Sequence, residues 1–81
     1  MKAKIYITYK DGILDPEGTT VNKAFSSMGL KGINSVQIGK YIEISFDNIS
    51  KEQAEAVTDE SCRKLLANPN TETYTFEIVE K

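Results

Sequence analysis

SVQIGKYIEISF, residues 35–46, sets two short apolar alternations on either side of a Gly-Lys pair. Val36 and Ile38 precede Gly39-Lys40; Ile42, Ile44 and Phe46 come after it. Period-two alternation interrupted by a glycine reads as a hairpin, here over residues 33–47. A two-residue turn would set Val36 opposite Glu43, an apolar group beside a charge. An odd loop over residues 39–41 instead pairs Ile38 with Ile42 and Val36 with Ile44. The second register follows the buried pattern, and an odd loop of this kind or a bulge is expected.

Outward from the hairpin, both ends of the chain also alternate. Residues 2–10 place Ala3, Ile5, Ile7 and Tyr9 on one face, and lysines with Tyr6 and Thr8 on the other. Residues 73–79 place Tyr74, Phe76 and Ile78 inward. Two helical patterns lie between the strands. Asp15-Pro16 reads as a helix start, with Asp15 as N-cap and Pro16 at the first helical position. Val21, Ala24, Phe25 and Met28 then share one face. Gly29 suits the left-handed cap, and Leu30 folds back towards Phe25. Ser50 and Gln53 form a capping box for the second helix, with Ile49 and Ala54 as its staple. Ala54, Val57, Ser61, Cys62 and Leu65 form its apolar stripe, widened by Leu66. It stops before Asn68-Pro69.

The order strand, helix, strand, strand, helix, strand predicts an α+β ferredoxin-like βαββαβ sandwich. Four antiparallel strands would carry both helices on one face, in a single domain over residues 1–81. A chain this short buries only about 60–65% of its unfolded surface. Its one cysteine makes no internal disulfide, and without histidine it makes no zinc site alone. Oligomerisation is the remaining support, so a homodimer or dimer of dimers is expected.

A net charge of −2 and scattered lysines argue against a nucleic-acid surface. No apolar run is long enough to span a membrane, and residues 1–10 lack the apolar centre of a signal peptide, so a cytoplasmic location is expected. Cys62 has no histidine to activate it and sits on the apolar stripe, where it reads as packing. Asp11, Asp15 and Glu17 match no calcium loop; the turn takes Asp11-Gly12 and the cap takes Asp15. Gly12 and Gly18 do not make a phosphate loop, since Thr19-Thr20 stand where Lys-Ser/Thr is required. No catalytic, cofactor-binding or metal-ligating residue is therefore assigned. The candidate partner contacts are Lys10, Asp15, Lys40, Tyr41 and Asn68, on stretches stiffened by proline or tight turns.

Three segments, YKDGILDPEGTTV, SVQIGKYIEI and CRKLLANPNTETYTFEI, together resemble one family. It is the small PurS subunit of phosphoribosylformylglycinamidine synthase. One departure is Gln37, where that family often carries a basic residue. The resemblance implies a subunit without catalytic residues of its own. Its implied partners are a glutaminase subunit and a large synthetase subunit, and the complex as a whole would use ATP and Mg. A small-molecule-binding regulatory domain of the ACT type is the alternative on this fold.

Overall fold

The structure, a computed structural model, describes residues 1–80. Among them, three strands form one antiparallel sheet: β1 (Lys2–Tyr9), β2 (Lys40–Ser45) and β3 (Glu72–Val79). The order is β2-β1-β3, with the N-terminal strand central. Two helices, α1 (Pro16–Ser27) and α2 (Lys51–Ser61), follow β1 and β2 respectively.

Around β1 the apolar positions of all three strands fall on one face, as their alternation implies. Ile5 stands between Ile42 and Phe76, and Ala3 between Ile44 and Ile78. One face of the sheet therefore collects Ala3, Ile5 and Ile7, all buried, with Ile42, Ile44, Tyr74, Phe76 and Ile78 packed around them. α2 lies over β1 and β3 and closes this core with Cys62 and Ala67 beyond its end. Ala54 and Thr58 are the residues that α2 itself buries. β2 has no helix over it to a comparable extent, so Ile42, Ile44 and Phe46 stay half-buried.

The helix ends follow from sequence. Asp15 caps α1 by accepting the Gly18 N–H at 2.9 Å, and Pro16 opens the first turn. At the other end, Leu30 N–H donates to the Phe25 carbonyl and Gly29 N–H to that of Ser26. Gly29 has φ +77°, which a side chain would resist. Ser50 and Gln53 make the reciprocal capping box of α2.

Three expectations are corrected. First, residues 33–39 form no strand, so the described residues make neither a four-stranded sheet nor a hairpin centred on Gly39-Lys40. The alternation of Val36 and Ile38 is real, and both are half-buried, but their backbone is engaged elsewhere. Ile38 N–H donates to Asp15, and the Val36 carbonyl lies against Gly18, at 2.4 Å from where a Cβ would stand. The segment runs back along the start of α1 instead of folding onto β2. Second, α1 does not lie on the sheet beside α2; it makes no extensive contact with any described strand or helix. Residues 10–39 thus form an arm inserted between β1 and β2. The radius of gyration is 16.2 Å, against about 12 Å for a compact chain of this length, and the molecule extends over 51 × 28 × 14 Å.

Third, the apolar stripe of the second helix changes phase. Cys62–Leu66 is a π-helical turn, closed by Ala67 N–H donating to the Cys62 carbonyl. The wider turn inserts one residue and rotates the positions after it. Leu65, expected inside, is 81% exposed, while Leu66 is half-buried and Ala67 buried. The departure begins before this turn, where Val57 faces outward and Thr58 takes its place in the core.

Candidate functional site

β1, β2 and β3 bring one end of the sheet together with the loops that leave it. Lys10 N–H donates to the Thr71 carbonyl, which zips the exit of β1 to the entry of β3. The Lys10 ammonium donates to the Pro69 carbonyl at 2.6 Å. Between them, a turn closes through Ile13 N–H to the Lys10 carbonyl, and Gly12 supplies its positive φ of +83°. Asn68 organises the opposite loop. Its carbonyl accepts from Thr71 and Glu72, its side-chain oxygen accepts from Asn70 N–H at 3.0 Å, and its own N–H donates to the Glu72 carboxylate at 2.7 Å.

Lys40 reaches the same cluster. It lies opposite Ile7 and approaches Glu72 to 3.8 Å, a long ion pair with the lysine mostly in water. Lys10, Lys40 and Asn68, chosen from three distant parts of the sequence, therefore share one edge of the molecule. Glu72 joins Lys40 to Asn68, while Lys10 is tied to the same loop through Pro69 and Thr71, and sequence reading missed Glu72 because a glutamate at a strand entry looks like ordinary solvated charge. Asp15 sits at the same end but is half-buried, and both of its carboxylate oxygens are used within the chain.

Tyr41 adjoins Lys40 on the opposite, uncovered face. It lies against Tyr6 with ring centroids 5.2 Å apart, and its hydroxyl donates to Glu43 at 2.6 Å. That bond favours the neutral phenol and, with the negative charge of Glu43 nearby, pushes the Tyr41 pKa up to about 12. The same bond, together with Lys2 at 3.1 Å, holds the Glu43 carboxyl below its usual range. Gln37 is exposed, with its amide 3.5 Å from the Tyr9 carbonyl, at the long limit for a hydrogen bond.

The chemistry available at this end is recognition. The recess among Asp15, Gly39, Lys40 and Glu72 holds about 60 Å³, well short of the several hundred that a cofactor or substrate pocket occupies. Among the described residues, no three His, Cys, Asp or Glu side chains gather as metal ligands. Cys62 is buried, and burial followed by the nearby Asp59 carboxylate pushes its thiol pKa up, away from a nucleophilic thiolate. No described helix is long and apolar enough to cross a membrane.

A second polar constellation locks the body rather than forming a site. The Tyr74 hydroxyl donates to Asp59 at 2.6 Å, and Arg63 donates to its other oxygen at 2.9 Å. The Tyr74 bond first, then Arg63, holds the Asp59 carboxyl below its usual range.

Comparison with known proteins places these features in a family. The family model described as PurS, phosphoribosylformylglycinamidine (FGAM) synthase, matches residues 2–80. The phosphoribosylformylglycinamidine synthase subunit PurS of Bacillus subtilis is 38% identical over 79 residues, covering 98% of this chain and 93% of that protein. The subunit of the same name from Archaeoglobus fulgidus is 40% identical over 76 residues, covering 94% and 95%. Among solved structures, PurS of Methanocaldococcus jannaschii superposes with a TM-score of 0.88 at 34% identity, over 99% of this chain and 96% of that one. A chain in the structure of PurLQS from Thermotoga maritima superposes with a TM-score of 0.85 at 26% identity, over 96% and 95%. A match of this extent gives no support to the ACT-type alternative.

Proposed function

The chain belongs to the PurS family, and we propose that it is the non-catalytic small subunit of phosphoribosylformylglycinamidine synthase in purine biosynthesis. On this reading residues 1–81 are one PurS-like domain working in the cytoplasm. It joins a glutaminase subunit, which releases ammonia, to a large ATP-dependent synthetase subunit, which consumes it. The observation that carries the reading is the full-length family match of a chain whose described surface offers contact features and no reactive centre. The presence of a similar chain in PurLQS from Thermotoga maritima supports a multisubunit assembly.

The physics of the role is positional. Ammonia in neutral water is mostly protonated and lost as a nucleophile. Holding two active sites in fixed register replaces bulk concentration by a high effective one. Stiff loops suit such a bridge, because they lose little entropy on docking. Lys10, Lys40 and Asn68 at the loop end, and Tyr41 beside them, are the proposed contacts. Asp15 serves that end from within, by fixing the backbone that carries it.

The same chain works as a homodimer or dimer of dimers. An arm that leaves its own sheet, carrying Leu14 at 71% and Met28 at 69% exposure, supports this. So does the half-covered apolar face of β2. The arm of a second copy suits that face, where residues 33–38 would supply the fourth strand of a ferredoxin-like sheet.

The test is the double variant Lys40→Ala with Tyr41→Ala, checked for retained helicity and thermal midpoint. In the reconstituted complex, glutamine-dependent synthesis falls roughly tenfold or more, as for a lost interface anchor, while synthesis from added ammonia persists. Unchanged glutamine-dependent synthesis and unchanged co-elution with both partners would remove these residues from the interface.

A further inference from the structure

The base of the arm holds a carboxylate with two separate tasks. Asp15 Oδ1 accepts the Gly18 N–H at 2.9 Å and so caps α1. Asp15 Oδ2 accepts the Ile38 N–H at 2.8 Å, across 23 residues of chain. Ile38 lies two residues before the sheet: Gly39 comes next, then Lys40, which pairs with Ile7 in the first rung of β2. Gly39 is pressed so close to β1 that a Cβ there would lie 2.5 Å from the Ile7 carbonyl oxygen. Asp15 is a fixed point of α1. We propose that the Asp15 carboxylate is a two-point clasp that sets the direction in which the arm leaves the sheet, and that its bond to Ile38, rather than its capping bond, does the positioning.

The surroundings of the clasp favour this role. α1 makes no extensive contact with the sheet, so no described element of the body holds the helix at an angle. Apart from the clasp, the loop over residues 10–15 and the return over residues 28–37 are its tethers. Gly18, buried in the first turn, leaves room for the junction: a Cβ there would lie 2.4 Å from the Val36 carbonyl oxygen and 2.6 Å from Asp15 Oδ2. A glycine inside a helix is costly unless a close approach requires it, and here one does. The leverage is large. A helix of 12 residues is about 18 Å long, so a swing of about 20° at its base moves its tip by about 6 Å. A shift of that size is enough to misplace Met28 and Leu30 on any surface they meet. The inference rests on the docking reading of the arm and deepens it, since it names the group that aims it.

Asp15→Asn separates the two tasks. Asparagine caps as well as aspartate. Its single oxygen can serve only one of the two N–H groups, so the other meets the NH₂, donor against donor; retained helicity shows that Gly18 is the group served and Ile38 the one released. Spin labels at Lys23→Cys on α1 and Glu77→Cys on β3, in a Cys62→Ala background and diluted into excess unlabelled chain, report the arm angle. With Asp15 in place the distance distribution is narrow. In Asp15→Asn, helical circular dichroism is unchanged and the distribution broadens about twofold or more, the scale of the leverage above. Gly18→Ala, which crowds the same junction, broadens it too. An unchanged distribution in Asp15→Asn overturns the clasp. Broadening only in Asp15→Ala, where the cap is lost as well, also overturns it, because capping would then be what positions the arm. Broadening in Asp15→Asn with unaltered self-association upholds the clasp and removes the arm from the homodimer contact, so the two readings fail separately.

Discussion

The body and the arm of this molecule are built from the same kind of sequence and reach opposite outcomes. In the body, β1 is sandwiched between two strands and covered by α2, and Ala3, Ile5, Ile7, Ala54 and Cys62 are all but inaccessible. In the arm, Val21 and Phe25 of the helix are only half-buried, and Leu14 before it and Met28, Leu30 and Ile33 after it stand in water. The body meets its own hydrophobic demand. The arm has a face, and no described strand or helix of its own chain covers it. Exposed apolar surface of this extent is characteristic of an interaction site. The contrast therefore separates what this chain stabilises by itself from what it offers to another.

Paired substitutions test that separation at its strongest. Ile5→Ala removes three buried carbons from the centre of the sheet and is expected to cost about 3 kcal/mol at any protein concentration. Met28→Asp is expected to change the unfolding free energy of the dissociated chain by less than ~0.5 kcal/mol, as for an exposed position. Its effect should instead appear as weaker self-association that grows on dilution. Denaturant titration at two protein concentrations reads both. If Met28→Asp were as costly as Ile5→Ala in the dissociated chain, α1 would belong to the body.

A smaller effect sharpens the description of the body. The hydrogen bonds of Asp59 with Tyr74 and Arg63 favour the ionised carboxylate, so its folded pKa lies below its unfolded one. The resulting stability is fully present above the unfolded value, near pH 4, and is lost as pH falls through the lowered folded value. Wild type and Asp59→Asn should therefore differ most near neutrality and converge in acid, with the unfolding midpoint monitored by near-ultraviolet circular dichroism. Because Asp59 and Arg63 are largely solvent-accessible, the difference is modest. A difference that grew on acidification would contradict the assignment.

How much of this was legible in the sequence depends on whether the deciding partner was local. The capping box at Ser50 and Gln53, the Asp15-Pro16 start and the glycine stop at Gly29 involve neighbours within a few residues, and each forms as read. β1 and β3 were legible because their alternation is complete over whole strands. Residues 33–39 alternate just as well locally, but a strand is a strand only with a ladder partner. There the competitor was a carboxylate 23 residues away, which sequence does not announce. Gly18 was the available hint: a glycine inside a first helical turn implies that something approaches closely. The π-helical turn at Cys62–Leu66 was invisible for another reason. One inserted residue shifts the phase of the stripe, so a 3.6-residue period assigns Leu65 to the wrong side. At the candidate site, Lys10, Lys40 and Asn68 lie at one end of the sheet, and both carboxylate oxygens of Asp15 are engaged within the chain.

The distinction between a self-covered body and an arm that its own strands and helices leave uncovered is tested most directly by the mass of the chain in solution. Sedimentation equilibrium of the pure protein across the micromolar range should give a mass of two copies or more of the 9.0 kDa chain, falling towards one copy in Met28→Asp. A stable monomer of wild-type protein throughout that range, with the arm still exposed, would contradict the account.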